Sequence, residues 1–209
     1  MSALTCLASQ DHVIMVPTVP TRGIEDIIDN DFNAKVSTSS LWSHFWQEST
    51  ATPPTTGGSG QEGFPDAQGA LVINTPWYRE YHQMHIHGGQ RNTNFDACVQ
   101  KMKYSSKWQT MQCTGLTSGG GANKADLYYK VVTGLDGVWD TYKDGMANAG
   151  VGNSTGIKAL PSQKDWRYHI GVITTRTSVT GILRDGQYFV ILYAPIATSD
   201  KIGRGHFLN

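Results

Sequence analysis

Tyr81-His82-Gln83-Met84-His85-Ile86-His87-Gly88-Gly89 is the stretch on which the reading of this chain turns. It follows an apolar run, Ala70-Leu71-Val72-Ile73, that ends on Asn74. Three histidines within six residues concentrate groups able to act as nucleophile, general acid–base or metal ligand near neutral pH. Successive side chains of a strand point to opposite faces. A strand here therefore carries Tyr81, Gln83, His85 and His87 on one face, and His82, Met84 and Ile86 on the other. One face presents imidazoles and the other packs into a core.

A lone strand histidine is usually structural, but two at i and i+2 beside a glutamine make a poor core. Imidazoles placed together must be hydrogen-bonded or solvated, because burying them unpaired is costly. Two chemistries suit the pair. One is metal binding, which needs a third ligand, and the nearest following carboxylate is Asp96 at a helix start. The other is attack on phosphorus, where a neutral imidazole displaces a leaving group and water later resolves the phospho-histidine. Neighbouring polar groups then hold the non-bridging oxygens. Gln83, His85 and His87 supply polar side chains at every second position.

Outward from that stretch, 209 residues are enough for one domain with a substantial core and short for two. We expect a single domain over 1–209. Seventeen basic residues balance 17 acidic ones, and no Lys/Arg cluster marks a nucleic-acid footprint. Lys101, Lys103 and Lys107 read as a solvated face. No window is long and apolar enough to span a bilayer, and Met1 to Cys6 has no basic leader. These features predict a soluble, intracellular or cytoplasmic protein. Cys6, Cys98 and Cys113 form no CxxC pair and are expected to be reduced thiols, with Cys98 buried on a helical face.

His12 to Val16 reads as a strand stopped by Pro17. Leu41, Trp42, Phe45 and Trp46 share one face of an amphipathic helix, and Thr52 to Gly63 reads as a flexible loop. Asn94 is placed to cap a helix bearing Phe95, Cys98, Val99 and Met102. Ser118 to Gly121 reads as a plain surface turn, without the Gly-Lys-Ser/Thr of a phosphate loop. Leu127, Tyr129 and Val131 alternate as in a strand. Val138, Trp139, Tyr142 and Met146 mark a short helix that Gly145 weakens. Strands follow over Ile170 to Thr175, Gly181 to Leu183 and Tyr188 to Tyr193, with a turn at Asp185-Gly186. The sum is an α+β fold: an antiparallel sheet with packed helices.

Histidines alternating with hydrophobic residues resemble the histidine-triad superfamily of nucleotide hydrolases and transferases. Within it the chain is similar to the CDP-diacylglycerol pyrophosphatase branch. "LVIN" precedes "HIH" at the family's spacing, with Asn74 eleven residues before His85. The likeness extends loosely to "MVPT" (15–18), "LWSHFWQES", "FPDAQGALVIN", "YSSKW" (104–108) and "GQYFVILYAP". The resemblance implies a HIT-like fold and hydrolysis of a nucleotide-linked or lipid-linked diphosphate, with no cofactor and no metal. It places the catalytic nucleophile on His85 and an oxygen-contacting, proton-transferring role on His87. Asn74 matches the asparagine of the same site, and Lys107 matches a basic position. Homodimers are common in the family.

Three departures stand out. The first triad histidine falls on Gln83, which keeps hydrogen-bonding capacity, here assigned to substrate binding, but cannot change protonation near pH 7. Gly88-Gly89 replaces bulkier residues and opens space beside the site. The family's membrane anchor is also missing. The alternative is a scaffold repurposed in biosynthesis, where His85 and His87 act as acid and base in a rearrangement or cyclisation of a small molecule. A third reading is a ligand-binding protein without turnover.

Overall fold

A run of four apolar residues, two of them β-branched, has nowhere to go but between layers. Ala70 to Ile73 lies within strand β3 (Gly69–Ile73), and all five residues are buried. The computed structural model describes residues 4–8, 13–17, 41–50, 68–73, 85–118, 121–148, 169–173, 186–195 and 207–208. Around β3 stand β1 (Leu4–Ala8), β2 (Val13–Pro17), β4 (Ile86–Gln90), β5 (Gln109–Ser118), β6 (Gly121–Thr133), β7 (His169–Ile173) and β8 (Gln187–Pro195). The helices are α1 (Leu41–Thr50), α2 (Thr93–Val99) and α3 (Val138–Asn148). The strands form one sheet in the order β1-β2-β4-β3-β7-β8-β6-β5, and every pairing is antiparallel. The expected α+β architecture is observed.

Helices cover both faces. On one, Leu71, Ile73, Ile86, Val190 and Leu192 are buried with Trp42, Phe45 and Trp46 of α1 and Val138, Trp139 and Tyr142 of α3. Trp42 meets Trp139 at 5.0 Å between ring centroids, and Trp46 meets Tyr188 edge-on at 5.3 Å. On the other face Phe95, Cys98 and Val99 of α2 join Ala70, Val72, Leu127, Tyr129, Phe189, Ile191, Phe207 and neighbours in one core. Period-two alternation in the strands and period-3.6 spacing in the helices thus converge on two apolar layers.

Helix α2 starts where its cap dictates. Asn92, not Asn94, is extended at φ −72° and ψ 159°, and its side chain accepts from the Phe95 amide. That satisfies one of the donors a helix start leaves over. Arg91, just before it, is buried and clamps the junction. Its guanidinium donates to Asp96 Oδ1 at 2.9 and 2.7 Å and to the Gly69 carbonyl at 3.2 Å.

The cysteine expectation is corrected. Cys98 of α2 and Cys113 of β5 form a disulfide, so these two are not reduced thiols. The pair has no sequence signature because it joins a helix to a strand at the far edge of the sheet. Burial at Cys98 is as expected.

Gly145 is explained by a close approach. A Cβ there would lie 2.6 and 2.7 Å from ring carbons of Trp108 and 3.1 Å from Leu192 Cδ1. The Trp108 ring stacks on Tyr128 at 4.4 Å and donates through Nε1 to Asp144 Oδ2 at 2.8 Å, so it is not free to swing aside. Gly145→Ala gains roughly 1 kcal/mol of helix propensity but overpacks a held ring, a cost of about 1–3 kcal/mol. The expected outcome is a melting temperature lowered by a few degrees. A raised one would show that the ring yields at little cost.

Candidate functional site

The histidine stretch enters the sheet at Ile86, the first residue of β4. β2 flanks this strand on one side and β3 on the other. His87 pairs with Ile14 across one gap and Val72 across the other, and it is 4% exposed. His85 lies immediately before the strand and is half-buried. Its ring meets that of His87 edge-on, centroids 4.9 Å apart and planes at 84°. The expected sharing of one face by these two residues is therefore observed. The face is the one covered by α2.

The two positions differ in access. His85 can be reached from outside while His87 is shielded. Asn74 and Gln83 lie outside the described residues, as do Tyr81, His82 and Met84. Gly88 and Gly89 are residues of β4 itself, both buried, opposite Leu71 and Ala70. Gly89 and Ala70 keep the His87 face low along the strand, and Gly171 of β7 does so on the far side of Val72.

Two residues raised by the sequence are excluded from this site. Asp96, the nearest carboxylate for a metal, is engaged by Arg91 at 2.7 Å. Among the described residues, no group of three or more His, Cys, Asp or Glu is arranged to hold a metal ion. Lys107 is exposed just ahead of β5, which is the outermost strand at the opposite end of the sheet. Five strand spacings separate β5 from β4, roughly 24 Å. Along the sheet Lys107 therefore stands apart from His85.

One histidine escaped the sequence reading. His169 opens β7 and pairs with Tyr193 of β8. Its neighbour Ile170 pairs with Ile73 of β3. No local pattern marks His169, and its nearness to the His85 end of β4 comes only from the pairing of β3 with both strands. Tyr193 is buried, and burial pushes its hydroxyl well above the ordinary tyrosine range, so it stays neutral.

Among the described residues, no helix is long and apolar enough to cross a membrane. No protein-family model matches the chain, and no curated protein matches it in a sequence search.

Proposed function

We propose that the chain is a hydrolase of histidine-triad type that cleaves a nucleotide-linked or lipid-linked diphosphate through His85. One observation supports this reading: an accessible imidazole in ring contact with a buried one, both at the start of a central strand. An accessible, neutral imidazole suits a nucleophile, and a second imidazole held against it suits orientation and proton movement.

A nitrogen of His85 forms a bond to one phosphorus while the bridging P–O bond breaks, its electron pair leaving with the second phosphoryl group. The departing oxygen takes up a proton. Water then loses a proton to a neighbouring base and attacks the phospho-histidine, and the P–N bond returns its electrons to His85. The products are two phosphate monoesters when both ends of the diphosphate are esterified. Asn74, which follows Ile73 directly in the chain, is assigned to hold the nucleophile or a phosphoryl oxygen. Gln83 is assigned to substrate binding.

The test is incubation with CDP-diacylglycerol and simple nucleoside diphosphate esters, with and without chelator. Cleavage that survives chelation is the expected result. Gln83→His is expected to raise turnover about 10-fold or more by adding a titratable group. A variant no faster than wild type would show that the glutamine position only orients. Cleavage by Gln83→His alone would move the wild-type chain to the repurposed, non-hydrolytic reading.

The compartment follows separately. The missing basic leader and membrane-spanning stretch lead to the expectation of an intracellular chain, but Cys98 and Cys113 are bridged. Disulfides persist mainly in oxidising compartments. We therefore take an oxidising compartment as the place of action.

A further inference from the structure

Residues 97–125 contain four lysines and no aspartate, glutamate or arginine. Three of the lysines, Lys101, Lys103 and Lys107, fall within seven residues of the loop between α2 and β5, and all three are exposed. Among the described residues none of the three forms an ion pair, whereas Lys130 is held by Asp144 at 3.2 Å. A chain with no net charge thus concentrates uncompensated positive charge in one loop. The same loop carries Tyr104, 55% exposed and the one large apolar side chain left exposed among the described residues. An exposed apolar group rimmed by polar ones marks an interaction site more often than an isolated surface residue does.

The loop is tied from beneath. Met102 is buried in the core, and the Lys103 amide donates to the Tyr129 hydroxyl at 3.1 Å. The Ser105 carbonyl accepts from the Val131 amide at 2.7 Å. The Ser105 hydroxyl donates to the Lys107 carbonyl at 2.8 Å and accepts from the Lys107 amide at 3.0 Å. Gln187 Nε2 donates to the Tyr104 hydroxyl at 3.4 Å. Fixing an irregular segment costs conformational entropy, and here it buries none of the four outer side chains. What the ordering achieves is a set of fixed backbone positions for three ammonium groups and a phenol.

The residue types select the partner. Arginine's planar fork is the group suited to nucleic acid and to phosphates bound one at a time, and lysine is a compact point charge. A patch of lysines without arginine suits the diffuse negative field of an anionic membrane surface. Tyrosine suits the membrane–water interface, where its ring enters the headgroup layer and its hydroxyl stays wet. We propose that the loop of residues 100–108 is a docking surface for an anionic lipid bilayer, held by Lys101, Lys103, Lys107 and the Tyr104 ring. The inference goes beyond the hydrolase reading and stands independently of it.

The test is co-sedimentation of full-length protein with vesicles of phosphatidylcholine alone, or of equal parts phosphatidylcholine and phosphatidylserine. Each lysine near an anionic surface contributes about 5-fold, so three predict partitioning on the order of 100-fold stronger onto the anionic vesicles. Added salt should remove that preference by screening exposed charges. Lys101→Gln/Lys103→Gln/Lys107→Gln is expected to abolish it, and Tyr104→Ser to weaken binding several-fold. Lys124→Gln removes an exposed charge from β6, seven residues from Val131 and so roughly 20 Å from the loop. It is expected to leave the preference in place. Equal partitioning onto both kinds of vesicle would overturn the proposal. So would a loss in Lys124→Gln as large as that in Lys103→Gln, because net charge and not the loop would then drive binding. Tighter binding of a short oligonucleotide or of polyglutamate through the same lysines, with Tyr104→Ser unaffected, would overturn the lipid surface as the partner. All the substituted side chains are exposed, and the wild-type comparison of the two vesicles decides without any variant.

Discussion

His85→Ala is expected to lower diphosphate cleavage by a factor on the order of 10⁴ or more, the loss seen when a covalent nucleophile is removed. The same variant should melt close to wild type. His85 is half-buried and precedes β4, so its truncation leaves no closed void inside the sheet. His87→Ala differs in this respect. His87 is 4% exposed between Ile14 and Val72, so its truncation costs packing as well as chemistry, and lost turnover there says less about role. The contrast makes His85 the diagnostic position. Free imidazole added to His85→Ala should restore part of the activity by entering the vacated space as the nucleophile. Full activity in His85→Ala would exclude covalent catalysis at this residue. The pair would then remain as candidates for acid–base work on another substrate.

That prediction could be framed from the sequence because strand periodicity is local. His85 and His87 share a face for the same reason that Ala70 and Val72 do, and no long-range contact is needed to see it. The aromatic helix α1 and the apolar row of α2 were legible for the equivalent reason at helical spacing. The start of α2 was displaced by two residues because Asn92 and Asn94 are both good caps. Only the extended backbone at Asn92 and its bond to the Phe95 amide separate them. Strand β5 was missed altogether. Its sequence Gln-Thr-Met-Gln-Cys-Thr-Gly-Leu is largely polar because it is an edge strand, burying Cys113 and Leu116 while Gln112 and Thr114 face water. Gly115, at φ +80°, sits where the pairing with β6 slips between Thr114 and Leu116, which breaks the alternation a strand is recognised by.

Features that depend on non-consecutive neighbours were invisible. The sequence offers nothing to say that β3 lies between β4 and β7, and the placement of His169 depends on it. The expected turn at Asp185-Gly186 falls mostly outside the described residues, and β8 finds its partners in β7 and β6. Lys107 is the converse case. The resemblance matched it to a basic position, whereas the structure leaves it exposed just ahead of β5, at the far edge of the sheet, as the solvated-face reading expects.

The Cys98–Cys113 bridge belongs to the same class of long-range feature, and its removal should have the largest effect on stability among the changes considered. The two cysteines are 15 residues apart in sequence, and a loop of that length predicts about 3 kcal/mol of stabilisation through the unfolded chain. For a chain of this size that is roughly 6–12 °C in melting temperature. Both sulfurs are buried, so reductant should act slowly on the native protein and quickly once it is heated. The double variant Cys98→Ala/Cys113→Ala avoids that kinetic barrier. The bridge also bears on the site, because it fastens α2 to β5 while Arg91 and Asn92 fasten the other end of α2 to Gly69 of β3 and to Phe207. With the bridge cut, α2 is held at one end over the face that carries His87. Turnover in the double variant should therefore fall at temperatures below its melting point, as α2 loosens. Alkylation of the unfolded, unreduced wild-type protein provides the direct check. One modified cysteine per chain, Cys6, is expected, whereas three would return all the cysteines to the reduced state and restore the case for an intracellular protein.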